Sequence, residues 1–514
     1  MTSIADVGAA PGSRPKVMRW YDYVTVNLFW LALNIRNTAV GSVFMPYLVA
    51  ELVEPGVKNT ALSTMRTVGL IVAMLVQPAA GLLSDRSTSR FGRRRPFIFV
   101  GVLFDLVFLA AIALSWNYLS LFVAMTLIQF SANVSHGPLQ GLIPDLVPEE
   151  KRGRASALKA ILELLGIVIV TLTVGQLVAA GQFYLAVVVT GVALFALMIL
   201  TMVFVREEPL RVKPDTPLGP PMVRVLGMLA GIGLGALAGL AVGSLIGGLA
   251  GLLAWPLAGG PLALVIGVAL GGLVAMIVAI LIGVWGGAWA TLGKDAQRNA
   301  PFTWWIVNRL LFLAAVTSIQ TFAMYFLMEA FALTREGAVK MNTEVMMVVG
   351  VFTMIAALPA GWLADRFGHK SLVGVSGLVG ALGTCALSGG MAMANQPLVY
   401  VGGCIVGLGA GLFVTSNWAL GTGLVPGEEA GRYLGVSNLA GAGAGMIGGG
   451  IAGPMADWIN GYQSGLGYYV IFGCYAVLFV LSTLSLRMLS NRGPWDHMVI
   501  DLISLRIFRR DKGE

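Results

Sequence analysis

Charge is scarce in this chain. Asp, Glu, Lys and Arg make up 11% of its 514 residues, against about 25% in an ordinary soluble domain, so most of the folded surface cannot face water. Cysteine is scarcer still, and the three present, Cys385, Cys404 and Cys474, fall inside apolar segments. Small packing residues are expected there, and disulfide or metal chemistry receives no support. There are only three histidines, and no phosphate loop, metal cluster or nucleophile constellation is present, so no enzyme activity, cofactor or metal is expected. Residues 1–20 are polar and lead straight into the first apolar run without the pattern of a cleavable signal.

What the chain has instead is 57% hydrophobic residues, gathered into long runs. A helix needs about 20 apolar residues to cross the hydrocarbon layer. Fourteen windows meet that test: 24–50, 61–83, 96–115, 118–143, 156–180, 183–205, 225–252, 261–291, 302–333, 343–363, 371–391, 397–424, 431–456 and 466–488. Barrel strands would be shorter and would alternate, so the runs predict an all-α polytopic membrane protein with about 14 transmembrane helices. The net charge of +8 follows topology and does not point to nucleic acid. If every second gap is cytoplasmic, 28 of the 33 Lys and Arg lie there, and only Arg36, Lys58, Arg66, Arg335 and Lys340 lie elsewhere. The positive-inside rule then puts both termini in the cytoplasm of a plasma (inner) membrane protein.

Two landmarks occur twice in the same orientation. Gly81-Leu82-Leu83-Ser84-Asp85-Arg86 returns as Gly361-Trp362-Leu363-Ala364-Asp365-Arg366, an offset of 280 residues. Leu146-Val147-Pro148 with Gly153-Arg154 returns as Leu424-Val425-Pro426 with Gly431-Arg432, an offset of 278. Such a repeat predicts two six-helix halves around a central site, at 21–205 and 302–488. Residues 206–301 between them read as a cytoplasmic linker and an inserted transmembrane hairpin whose glycines allow close helix packing. A cytoplasmic N-terminal tail occupies 1–20, and the tail at 489–514 mixes apolar residues with arginines. It reads either as a solvated segment or as an interfacial helix held by anionic membrane lipid.

The loop Gly81-Leu82-Leu83-Ser84-Asp85-Arg86-Ser87-Thr88-Ser89-Arg90-Phe91-Gly92-Arg93-Arg94-Arg95 resembles the signature loop of the major facilitator superfamily. Its continuation into Pro96-Phe97-Ile98 is similar to the form in plant sucrose transporters, proton-associated sugar transporters and glycoside–cation symporters. Asn133 and Gly137-Pro138 fit the fourth span of the sucrose transporters, while that family's acidic and Arg positions read Gln129 and Gln140 here. The resemblance implies that the first, fourth, ninth and twelfth spans line a central cavity. Independently of it, Gly81 permits helix approach, and Asp85 is an anion placed to meet the helix N-terminus near Gly431 of the other half, as Asp365 would near Gly153. With Arg86, Gly92, Arg93, Arg94, Arg366, Arg154 and Arg432, these residues form candidate conformational latches; the alternative is that the arginines only enforce topology.

Polar residues inside spans are costly and mark function by default. Gln129, Asn133, His136 and Gln140 recur at helical spacing and make one stripe. Such a stripe must meet either another helix or a water-filled cavity. Asn34, Arg36 and Asn37 in the first span, Gln320 and Tyr325 in the ninth, and Asn417 and Trp418 in the twelfth complete the candidate solute-binding set. Asp105, Glu163 and Glu329 are candidate proton-coupling carboxylates, with Arg36 the natural counter-ion and Lys159 a possible intrahelical partner for Glu163. The reading is a monomeric secondary transporter, a proton- or cation-coupled symporter for a sugar, glycoside or similar small polar solute. The alternatives are an exporter of lipophilic small molecules and a non-transporting membrane assembly factor.

Overall fold

The computed structural model describes residues 19–148, 151–205, 207, 209–210, 219–293, 295–425 and 430–489, with side chains at those positions other than 295, 298, 430–440 and 442. Every regular element among them is helical, the solution lipid enforces by leaving no water for unpaired backbone groups. Helix α1 runs Trp20–Thr38, passes through a π-helical stretch Ala39–Phe44 and continues over Met45–Leu52. Then come α2 (Lys58–Ser84), α3 (Arg95–Ala113), α4 (Tyr118–Gln140), α5 (Arg152–Val170, prolonged by a π turn to Ala179) and α6 (Phe183–Phe204). The insert supplies α7 (Gly219–Ala258) and α8 (Gly260–Leu292). The second set is α9 (Ala300–Ala330), α10 (Arg335–Phe367), α11 (His369–Ala392), α12 (Gln396–Thr422), α13 (Ala430–Tyr462) and α14 (Leu466–Ser485).

Twelve of these helices are long and apolar enough to cross a membrane. The exceptions are α1 and α13, so fourteen crossings are not confirmed on that measure. The reason is composition: α1 is divided by its π turn and carries Asn27, Asn34, Arg36 and Asn37, while α13 is diluted by glycine. The C-terminal tail beyond 489 and most of the 206–218 linker lie outside the described residues.

In the first six helices α1 packs on α5 and α6, α2 on α4, and α3 on α4 and α6. In the last six α9 packs on α13 and α14, α10 on α12, and α11 on α12 and α14. The two sets meet where α2 lies along α13 and α5 along α10, contacts that are equivalents under the internal repeat. Helices α7 and α8 form a hairpin that leans on α13 and α9. A Cβ added at Gly235, Gly239, Gly243 or Gly247 would run into α8 backbone atoms. The insert's glycines therefore serve the close approach the sequence suggested.

A second close approach fixes the first bundle. A Cβ at Gly137 of α4 would collide with the Gln77 carbonyl and the Gly81 amide of α2, and at Gly81 it would face the Gly137 carbonyl at 3.8 Å. Gly137→Val is therefore expected to lower the thermal unfolding midpoint in detergent, at a cost of about 1–3 kcal/mol. Gly153→Ala, where a Cβ meets nothing within 4 Å, is expected to leave the midpoint unchanged. Equal midpoints for the two variants would refute tight packing at the α2–α4 crossing.

Candidate functional site

A chamber of about 380 Å³ lies between the two sets of helices, lined from α1, α2, α4, α9 and α13. That is within the usual small-molecule range of about 300–1,000 Å³. From α4 it receives Gln129, Asn133 and His136, and from α1 Arg36 and Asn37. Thr317 and Thr321 come from α9, and Gly441, Gly445 and Gly449 of α13 leave room opposite. The α2 wall is Ser63, Arg66, Leu70, Ala73 and Gln77, residues spaced alternately three and four apart. That periodicity identifies one helix face, whereas Arg66 taken alone in the sequence reads only as an exception to the topology rule. A larger cavity, about 550 Å³, lies between the hairpin and α13; its lining is apolar apart from Ser244, so the smaller chamber is the one suited to a polar guest.

The chamber gathers only part of the candidate set. Asn34 points its amide to the Trp30 carbonyl at 3.2 Å and packs against Gly166 of α5. Gln140 is exposed at the end of α4, and Gln320 is half-buried beside the chamber lining. The twelfth span does not line the chamber, contrary to the implication of the resemblance. Asn417 is buried and turned onto α9, donating to Asn308 Oδ1 at 2.9 Å and accepting from Arg309 at 3.2 Å, so its amide is already satisfied. Trp418 stands outside with the Arg309 guanidinium over its ring. Thr321, Tyr325 and Glu329 of α9 recur at steps of four and divide by height: Thr321 reaches the chamber, whereas Tyr325 and Glu329, about 6 and 12 Å farther along the axis, sit beyond it. Tyr325 is fully buried and donates to the Pro46 carbonyl at 2.9 Å.

A buried ion pair runs from the chamber wall, at Arg36, to Asp105 behind it. Arg36 and Asp105 have side-chain exposures of 2% and 0%, and Arg36 Nη2 lies 3.2 Å from Asp105 Oδ1. The same nitrogen donates to the Ile128 carbonyl at 2.7 Å, Nη1 donates to Asn37 Oδ1 at 2.6 Å, and the Ser131 hydroxyl donates to Asp105. The pair thus ties α1, α3 and α4 together. Glu163 forms the intrahelical pair with Lys159, at 3.5 Å, while the Lys159 ammonium sits 3.7 Å from the centre of the Trp30 ring. Glu329 accepts from the Ser464 hydroxyl at the rim of the bundle. None of Asp105, Glu163 and Glu329 lines the chamber.

At the end of the bundle away from the α2–α3 loop, here the far end, polar bonds join the two sets of helices. Asp457 of α13 accepts from the backbone amides of Asn59 and Thr60 at 3.2 and 2.6 Å and from the Asn59 side chain at 2.7 Å. Tyr47 donates to Glu336 at 3.1 Å, and Arg335 pairs with Glu51 at 2.9 Å. At the near end the signature loop is bound within its own half. Arg94 pairs with Asp85 at 2.7 Å and with Asp145 at 2.5 Å, and Arg93 also pairs with Asp145. Gly92 has φ +100°, and Glu207 lies against the position a side chain would take. Burial, outweighing the bonds from the backbone of Arg94 and Arg95, holds the Glu207 carboxyl above its ordinary range.

The expected latches differ accordingly. Asp85 is engaged by Arg94 of its own loop rather than by the opposite half. Asp365 and Arg154 are exposed, and Arg366 lies over the rings of Trp362 and Phe367. Arg432 falls outside the described side chains.

Paired helical bundles around a ligand-sized chamber, into which one polar stripe projects from an otherwise largely apolar wall, define a polytopic integral membrane protein with an internal site. Residues 29–234 match the family described as MFS/sugar transport protein, and residues 221–449 and 310–512 match the Major Facilitator Superfamily. The chain belongs to the major facilitator superfamily. It is 31% identical over 189 residues to the human "Proton-associated sugar transporter A", covering 32% of this chain and 25% of that protein. It is 30% identical over 125 residues to the "Sucrose transport protein SUT1" of Oryza sativa subsp. japonica, covering 20% and 23%. The matches thus span about a quarter of these relatives' lengths. In fold it is similar to the crystal structure of the nucleoside transporter NupG, with TM-score 0.60 at 14% identity over 91% of this chain and 99% of that one. A peptide-bound POT family transporter gives TM-score 0.63 at 16% identity, over 95% and 96%.

Proposed function

We propose that this protein carries a sugar, glycoside or similar small polar solute across the membrane by alternating access, coupled to a proton or other cation. The observation that carries the reading is the chamber between the two halves, where Gln129, Asn133 and His136 form a stripe that lipid could not satisfy. Amides and hydroxyls there offer both donors and acceptors, the chemistry that replaces the hydration of a hydroxylated guest. The partial matches to sugar transporters support the same solute class. With the near end taken as cytoplasmic by the positive-inside rule, bonds across the far end describe a carrier sealed toward the outside. Asp105, held against Arg36, is the carboxylate we favour for proton exchange.

The test is uptake by the purified chain in proteoliposomes under an imposed pH gradient, over a panel of sugars and glycosides. Gln129→Ala and Asn133→Ala are each expected to weaken apparent solute affinity by about tenfold, the worth of one good hydrogen bond. Gln140→Ala, at an exposed site off the chamber, is expected to leave it unchanged. If uptake persists equally in all three variants, the chamber is not the solute site.

A further inference from the structure

Charge in the chamber is unbalanced. Among the described residues its lining includes two arginines, Arg36 and Arg66, and no Asp or Glu. Arg36 is neutralised from behind by Asp105. Arg66 is half-buried and gives Nη1 to a neutral group, the Thr321 hydroxyl, at 2.8 Å. No carboxylate lies within ion-pair distance of it among the described residues. Its second terminal nitrogen, Nη2, points to the place where Gly41 has no side chain, 3.8 Å from where a Cβ would stand. An arginine left without an anion inside a low-dielectric bundle is costly unless an occupant supplies the charge. A guanidinium also presents its donors in a fork that matches planar or tetrahedral oxyanions.

We propose that the solute bound in this chamber bears an oxyanion group, a carboxylate or a phosphate, which Arg66 receives while Gln129, Asn133 and His136 hold the neutral remainder. This rests on the reading of the chamber as the solute site and narrows its substrate class from neutral sugars to acidic ones. Because Arg66 also reaches across to Thr321 of α9, an anion seated on it would lie at the seam between the two halves. Arg309, farther toward the near end of α9, likewise ends on Asn417 and on the rings of Trp305 and Trp418 with no carboxylate partner among the described residues.

The experiment is a thermal-shift and calorimetric screen of the purified full chain against matched sets of monosaccharides and glycosides, each as the neutral sugar, its uronate and its phosphate. An acidic member is expected to bind at least about tenfold more tightly than its neutral counterpart. Arg66→Gln is expected to abolish that preference, and Arg66→Lys, which keeps the charge without the fork, to retain part of it. The uronate and phosphate arms decide which oxyanion is preferred. Neutral sugars binding as tightly as the acids, or a preference that survives Arg66→Gln, would overturn the proposal while leaving the solute reading intact. A screen in which neither neutral nor acidic members bind would overturn both.

Discussion

Asp105→Ala is expected to be among the most damaging single substitutions in the protein, and a compensating second change is expected to repair most of the damage. Alanine would leave Arg36, 2% exposed, as an unmatched buried cation, a situation that costs about 3–5 kcal/mol when one partner of a buried pair is removed. Its remaining bonds to the Ile128 carbonyl and Asn37 soften the loss without supplying a charge. Replacing both partners, as Arg36→Met with Asp105→Leu, removes the charges together and is expected to return the unfolding midpoint most of the way to that of the parent. The measurement is a double-mutant cycle on thermal unfolding in detergent. Additive losses would mean that the two groups do not depend on each other. Function separates from stability in the same series: Asp105→Asn is expected to keep solute binding and to lose the dependence of uptake on a pH gradient.

The second large effect is expected at Asp457. Its carboxylate receives three hydrogen bonds from Asn59 and Thr60 and so caps the first turn of α2 from the opposite half. Hydrogen bonds to a charged group are worth about 1.5–3 kcal/mol each, so Asp457→Ala is expected to move the balance of far-end-closed to far-end-open forms by at least tenfold. Ser63, which lines the chamber from α2, provides the reporter. In a background without the three native cysteines, Ser63→Cys is expected to be alkylated from outside by an impermeant maleimide much faster once Asp457 is alanine. Unchanged labelling would show that this carboxylate does not hold the far end shut.

Nothing in the sequence singles out Asp457. The repeated Asp85 and Asp365 motifs suggested carboxylates meeting helix ends across the two halves, yet here Asp85 is held by Arg94. The same physics acts at the opposite end through a residue just past the predicted limit of its span. Two arginines show the same gap between what the sequence displays and what it decides. Arg36 stands out in the sequence because a charge among asparagines in an apolar run is conspicuous. Arg66 stands in an equally apolar run, on a face whose three-and-four spacing was legible, but nothing local announces that the opposite wall will offer it only a hydroxyl. The twelfth span shows the converse: Asn417 and Trp418 look like solute ligands in one dimension, but the amide of Asn417 is occupied by Asn308 and Arg309.

Composition and periodicity by themselves determined that the chain is a bundle of membrane helices and where along the sequence they lie; from the repeated motifs we propose two related halves with a glycine-packed hairpin between them. Those features follow from local rules: apolar length against bilayer thickness, positive charge at helix ends, and glycine where helices touch. Which polar side chains share one chamber, which are consumed in bonds to neighbouring helices, and which end of the bundle is sealed were decided only by tertiary structure. Each of these depends on the partner that another helix presents, and in hydrocarbon, where water is absent, that partner alone determines whether a polar group is satisfied or left open to a guest.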